Sequence, residues 1–133
     1  MSNKKTGNAF EKELCNLLAK HGFWAYNFPN KTSGQPADII ASRDGTPCLI
    51  DCKVCENDSF DTTRLEENQI NSMLLWRETG NGCGYFAFKL QDGTIRFATD
   101  STIRFIAREK RVMNRSDILA NSESIEDWLW WYI

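Results

Sequence analysis

Apolar residues recur at helical spacing over residues 8–21, where Phe10, Leu14, Leu17 and Leu18 mark one stripe and Gly22 offers a C-terminal stop. Glu11 falls beside that stripe, one turn into the predicted helix. The aromatic-rich run from Phe23 to Phe28 suits a first strand ended by Pro29, and a polar loop follows from Asn30 to Pro36. Strands are expected at 37–42 and 47–55, joined by a turn at Asp44-Gly45. After the acidic connection Glu56–Asp61, Thr63-Arg64-Leu65-Glu66 reads as a capping box that opens a helix running to about Thr79. Leu65, Gln69, Met73 and Trp76 would share one face of it, with Ile70 and Leu74 beside them. Asn81-Gly82 breaks the chain, and 83–90 with 94–99 reads as a hairpin around Gln91-Asp92-Gly93. Further helices are expected over Ser101–Arg111 and 124–132. The order is helix, three strands, helix, two strands, helix. It predicts one α/β domain over residues 1–133, a mixed sheet of about five strands with helices on both faces.

Two of the strands carry charge where apolar residues are expected: Pro36-Ala37-Asp38-Ile39-Ile40-Ala41 and Leu49-Ile50-Asp51-Cys52-Lys53-Val54. Side chains alternate along a strand, so Asp51 and Lys53 share a face while Ile50, Cys52 and Val54 point the other way. Carboxylates and an ammonium projecting from mid-sheet cost free energy unless a cation or substrate pairs with them. Hard oxygen ligands beside a lysine suit a site that binds Mg²⁺ and cuts phosphodiesters. Separately, Asp38 could cap a strand start, and Asp51 with Lys53 could form a structural ion pair.

Composition changes this picture little. Of 133 residues, 41% are hydrophobic and 26% charged, as in ordinary soluble globular chains. No apolar run approaches the roughly 20 residues that span a bilayer, and the basic start lacks the apolar segment of a secretory signal, so a cytoplasmic protein with reduced thiols is expected. The net charge of −2 argues against a nucleic-acid binder taken alone. Its distribution argues otherwise: Lys4, Lys5, Lys12, Lys20 and Lys31 gather in the first 37 residues, and Arg104, Arg108, Lys110, Arg111 and Arg115 within 100–116. Such segregation is compatible with one basic face. Arg104, Arg108, Arg111 and Arg115 recur at spacings that align on one side of a helix continuing that far, with Ile103, Phe105 and Ile106 facing inward. The Cys48, Cys52, Cys55 spacing resembles an iron–sulfur motif, but in a strand Cys48 and Cys52 face opposite to Cys55 and could not converge on a cluster.

A glutamate in the first helix, then Asp, then Asp-x-Lys on successive strands resembles the PD-(D/E)xK nuclease superfamily, with its restriction-endonuclease-like fold. Gly7-Asn8-Ala9-Phe10-Glu11 followed by Leu14, and Lys20-His21-Gly22-Phe23, look like the opening of Holliday-junction resolvases. Phe60 and Arg64-Leu65-Glu66-Glu67-Asn68-Gln69 resemble the RecU-like branch, which includes phage-borne resolvases. The likeness covers about residues 5–75. It implies that Asp38 and Asp51 ligate a divalent metal, Mg²⁺ with Mn²⁺ able to substitute. It further implies that Glu11 completes the acidic site directly or through water, that Lys53 orients or activates water or neutralises the phosphate, and that Gln69 positions water or Lys53. The loop of Lys31, Thr32 and Ser33 before Asp38 resembles a region in which archaeal resolvases have a functional serine. Bacterial RecU proteins have an inserted stalk, for which the short Glu56–Thr62 connection leaves little room.

The expected activity is Mg²⁺-dependent cleavage of branched DNA by a homodimer, in a bacterial or phage-infected cell and with no membrane partner. Symmetric cutting of a four-way junction needs two sites about a twofold axis. Lys5, Lys31, Ser33, Arg104, Arg108 and Arg111 are the expected DNA contacts, and the aromatic tail 125–133 is a candidate for the dimer surface. A restriction- or repair-type nuclease on duplex or single strands, or a non-catalytic DNA-binding protein keeping the fold, are the alternatives.

Overall fold

The structure, a computed structural model, describes residues 3–29 and 35–132. In chain order the elements are α1 (Asn3–Lys20), β1 (Trp24–Asn27), β2 (Ile39–Arg43), β3 (Thr46–Val54), β4 (Phe60–Asp61), α2 (Glu67–Glu78), β5 (Tyr85–Lys89), β6 (Ile95–Thr99), α3 (Asp100–Glu109), β7 (Val112–Met113), α4 (Arg115–Ala120) and α5 (Ile125–Tyr132). Helix α1 begins well before residue 8, so Glu11 sits in about its third turn, not one turn in.

The main sheet has five strands in the order β1-β2-β3-β5-β6. All neighbours are antiparallel except β3 and β5, which run parallel. A parallel pair needs a crossover, and α2 lies within it. Two apolar clusters close on opposite faces. On one, Phe10, Leu14 and Leu18 of α1 meet Ile39, Ala41, Cys48 and Ile50, with Ile125 and Trp128 of α5. On the other, Met73 of α2, Ile103 of α3 and Ile118 of α4 meet Phe86, Phe88 and Cys55. Trp128 is stacked on Phe97 at 4.3 Å and on Phe23 at 5.7 Å, so this part of the tail belongs to its own core. Trp130 is exposed. Gly84 permits the close seat of α2: a Cβ there would meet Met73 Cγ at 2.5 Å.

The segment between β3 and α2 differs from the expectation. Thr63 does not cap a helix. Asp61 Oδ1 takes hydrogen bonds from Thr63 N at 2.9 Å and Thr63 Oγ1 at 2.7 Å, which closes a single 3₁₀ turn over Thr62–Arg64. Leu65 and Glu66 are extended, and α2 starts at Glu67. The cause lies downstream. Thr62 N and Oγ1 both donate to the Arg111 carbonyl, at 2.7 and 2.8 Å, and β4 pairs with β7. This clasp pulls the chain out of helical geometry. With a 3₁₀ turn at Glu56–Asp58 it fills the connection where a stalk would be inserted.

The arginine stripe is broken for a related reason. Helix α3 ends at Glu109, Arg111 leads into β7, and Arg115 opens α4. Phe105 is 64% exposed instead of facing inward. Two residues on from buried Ile103, it lies nearly on the opposite side of the helix. Helix α1, with Lys12 and Lys20, and α3, with Arg104 and Arg108, cover opposite faces of the sheet.

Candidate active site

The alternation of β3 settles where its charges go. Cys48, Ile50, Cys52 and Val54 face α1, and Asp51, Lys53 and Cys55 face the α2 side. The three cysteines therefore divide as the sequence predicts, and every cysteine is a free thiol. Burial pushes the Cys55 thiol up to about 12.

Asp51 has no exposed surface. Its Oδ1 accepts a hydrogen bond from Gln69 Nε2 at 2.8 Å, and Lys53 Nζ lies 3.1 Å from Oδ2. Oδ2 is fully buried, with the Lys53 ammonium as its ion-pair partner. Burial is the main reason the Asp51 carboxyl is held well above the usual carboxylate range. Lys53 pulls it down, and Asp38 beside it pushes it up.

Asp38 precedes β2 but is held by sheet bonds on both sides. Its carbonyl accepts from Phe28 N at 2.8 Å, and its N–H donates to the Ile50 carbonyl at 3.2 Å. Because Ile39 pairs with Ile50, Asp38 lies opposite Asp51 and on the same face. Asp38 Oδ2 also takes the Cys52 N–H at 2.8 Å. Glu11 is buried on α1, on the other side of β3. Its charge, with those of Asp38 and Asp51, helps burial hold the Cys52 thiol well above its ordinary value. The acids thus surround Cys52, two on one face of the strand and one on the other.

Five sequence-predicted residues, Glu11, Asp38, Asp51, Lys53 and Gln69, are accordingly all buried in this region. Gln69 reaches Asp51, not Lys53. Among the described residues, no three His, Cys, Asp or Glu side chains group tightly enough to hold a metal ion by themselves. The donor chemistry nevertheless fits a hard divalent cation: Mg²⁺ takes one or two carboxylates plus waters and substrate phosphate, and Asp38 and Asp51 put two carboxylates side by side on one face. Two partners were not visible in the sequence, the Cys52 N–H that holds Asp38 and the Arg64 carbonyl 3.5 Å from Lys53 Nζ. Both are main-chain groups, which no side-chain pattern marks.

Of the expected DNA contacts, Lys31, Ser33 and the Lys5 side chain lie outside the described residues. Arg104 is bonded to buried Asp100 at 3.1 Å. Arg115 is tied to Asp58 and Asp92, each at 3.2 Å. Arg108 is exposed, and Arg111, its side chain 75% exposed, lies 3.4 Å from Asp61. No helix among the described residues is long and apolar enough to cross a membrane.

Known proteins share this arrangement of elements. The chain is similar to the Hjc Holliday junction resolvase of Archaeoglobus fulgidus, with a TM-score of 0.70, 23% identity, and coverage of 92% of this chain and 98% of that one. At that identity the likeness speaks for the fold. The crossover junction endodeoxyribonuclease Hjc of Methanocaldococcus jannaschii is 28% identical over 85 residues, 64% of this chain, and the match spans only 59% of that relative. The family model described as archaeal Holliday junction resolvase (Hjc) matches residues 2–129. That match runs from α1 into α5 and takes in each of the buried charged residues on and around β3, so the chain belongs to the archaeal Holliday junction resolvase (Hjc) family, within the PD-(D/E)xK nucleases.

Proposed function

We propose that this protein is a divalent-metal-dependent endonuclease that cuts branched DNA, four-way junctions foremost. The observation that carries the reading is Asp51: a fully buried carboxylate with a second, Asp38, beside it on the same face and Lys53 3.1 Å from its Oδ2. Two carboxylates beside one ammonium leave negative charge that a divalent cation would offset. Asp38 and Asp51 would hold the ion, with Glu11 adding its negative charge from the α1 side of β3. A bound Mg²⁺, or Mn²⁺ in its place, would supply positive charge to the scissile phosphate and ease deprotonation of the attacking water. Gln69 fixes the Asp51 carboxylate in one orientation. Lys53, paired with that carboxylate, would offset negative charge gathering on the phosphate.

The domain acts as a homodimer in this reading, one nuclease domain per chain, because paired cuts across a junction need two sites. Work on intracellular DNA sets it in the cytoplasm, and we read the host as a bacterial or phage-infected cell. The likeness of Phe60 and Arg64–Gln69 to the RecU-like branch stands as our reading of that stretch alone.

The test is cleavage of matched four-way junction, flap, duplex and single-stranded DNA with Mg²⁺ and with chelator. Cleavage of the junction above the others, abolished by chelator, is expected. Equal cutting of duplex would point to a restriction- or repair-type nuclease, and no cutting of any substrate to a non-catalytic DNA-binding protein.

Arg108 and Arg111 are proposed, with Lys5, Lys31 and Ser33, to meet the DNA backbone. Arg104 and Arg115 are committed to carboxylates. The exposed Arg111–Asp61 pair is weak and yields readily to a phosphate. Replacing Arg108 and Arg111 together with Ala should weaken junction and duplex binding alike. It should also flatten the log–log salt dependence by about 1.8, at roughly 0.9 per phosphate contact. An unchanged slope in a salt titration would remove both residues from the interface.

A further inference from the structure

Trp24, Tyr26 and Phe28 form a continuous aromatic ladder. Trp24 and Tyr26 are stacked with ring centroids 6.4 Å apart, and Tyr26 meets Phe28 edge-on at 5.5 Å. Single exposed apolar residues are ordinary, but this is a row: Trp24 is 64% exposed and Tyr26 47%. It lies on the edge strand of the main sheet, with only β2 as neighbour.

Strand register fixes which face the ladder occupies. Trp24 pairs with Ser42 and Tyr26 with Ile40, and the Phe28 N–H bond to the Asp38 carbonyl continues the pairing to the site. The intervening Ala25 packs toward α1, so the aromatic rings stand on the opposite face, which also carries Asp38 and Asp51. Counting at about 3.4 Å per residue, the ladder runs from beside Asp38 to roughly 14 Å away, the rise of about four stacked bases along one strand.

Its chemistry selects among possible contacts. The cross-strand neighbours on that face are Ile40 and Ser42, neither charged. Uncharged neighbours such as these do not grip phosphates, and a duplex offers the rings only phosphates, sugars and base edges. Unstacked bases offer flat π faces, which pack on aromatic rings whatever their sequence.

We propose that Trp24, Tyr26 and Phe28 are a stacking platform for bases that unstack at the branch point of the DNA strand held at Asp38 and Asp51. The inference rests on the nuclease reading above. It adds a source of preference for branched over continuous DNA that lies on the protomer itself.

The test is binding measured by fluorescence anisotropy in chelator, where no cleavage occurs, with a four-way junction, a single-stranded oligonucleotide and a matched duplex. The variants are Trp24→Ala/Tyr26→Ala and Trp24→Phe/Tyr26→Phe. Both positions are exposed, so circular dichroism should match wild type. Junction and single-strand affinity of the Ala pair should fall about tenfold or more, and duplex affinity less than twofold. The Phe pair, which keeps the rings, should bind like wild type. Equal loss on all three probes, or no loss on any, overturns the proposal. So does a drop from dimer to monomer in light scattering of the Ala pair, which would make the ladder a contact between copies of this chain. Binding to single strands needs no turnover. A wild-type protein that cuts nothing therefore refutes the nuclease reading, while the anisotropy series still decides the ladder.

Discussion

Asp51→Asn should reduce cleavage by roughly a thousandfold or more and make the stability of the metal-free protein less dependent on pH. The loss follows from removing a metal ligand: about 4 kcal/mol of charge stabilisation at the phosphate corresponds to about 10³ in rate. The stability effect follows from burial. Asn is the same size and keeps an oxygen for Gln69 Nε2 but brings no charge to a fully buried position, while it leaves Lys53 without its ion-pair partner. The pH dependence separates the two proteins. The Asp51 carboxyl is raised in the fold, so its contribution favours folding below the ordinary carboxylate range. That contribution is lost as pH rises from about 3.8 through the folded value. Asp61, Asp92 and Asp117 shift downward, so what they contribute is lost only as pH falls below that range. Calorimetric melting between pH 4 and 7 in chelator should show the Asp51→Asn protein gaining on wild type as pH increases, and divalent cations should raise the wild-type melting temperature alone. More than a few per cent of wild-type turnover would end the ligand assignment, and a melting difference flat with pH would mean that Asp51 is not desolvated.

Lys53→Ala should behave differently. Its ammonium acts on charge that develops during the reaction, so kcat should fall by about 10² to 10³ with little change in KM. Metal affinity should hold or rise, because a cation next to the Asp51 carboxylate is gone. Stability should drop, since a buried carboxylate loses its partner, a change that costs about 3–5 kcal/mol in comparable buried pairs. Isothermal titration with Mn²⁺ beside single-turnover kinetics separates these effects. Normal kcat in a folded but less stable variant would reduce Lys53 to a structural ion-pair partner.

The order of the main elements was legible because each has a strong local signal. Phe10, Leu14 and Leu18 repeat with the period of a helix, and alternation in β3 divides Asp51 and Lys53 from Cys52 before any coordinates are known. What escaped was set by residues far away in the chain. Thr63 has the sequence of a cap, but Thr62 is fastened to Arg111, and the local preference gives way to that tertiary bond. Arg111 has helical spacing from Arg104, but the same clasp ends α3 before reaching it. The site divides likewise. Its acids stand out as charges in apolar strands, whereas the Arg64 carbonyl and the Cys52 N–H belong to the backbone and look the same in every residue.

The clasp also has a consequence for the timing of synthesis. Lys53 leans on the Arg64 carbonyl, and the turn that presents Arg64 is fixed only when Thr62 finds the Lys110 and Arg111 carbonyls, 48 and 49 residues later in the chain. At about 5–20 residues per second, a ribosome needs roughly 2.5–10 s to make that stretch. A nascent chain already carrying Glu11, Asp38, Asp51, Lys53 and Gln69 therefore lacks the anchor that sets Lys53. In the proposed reading, the Lys53 anchor is in place only after β7 has emerged.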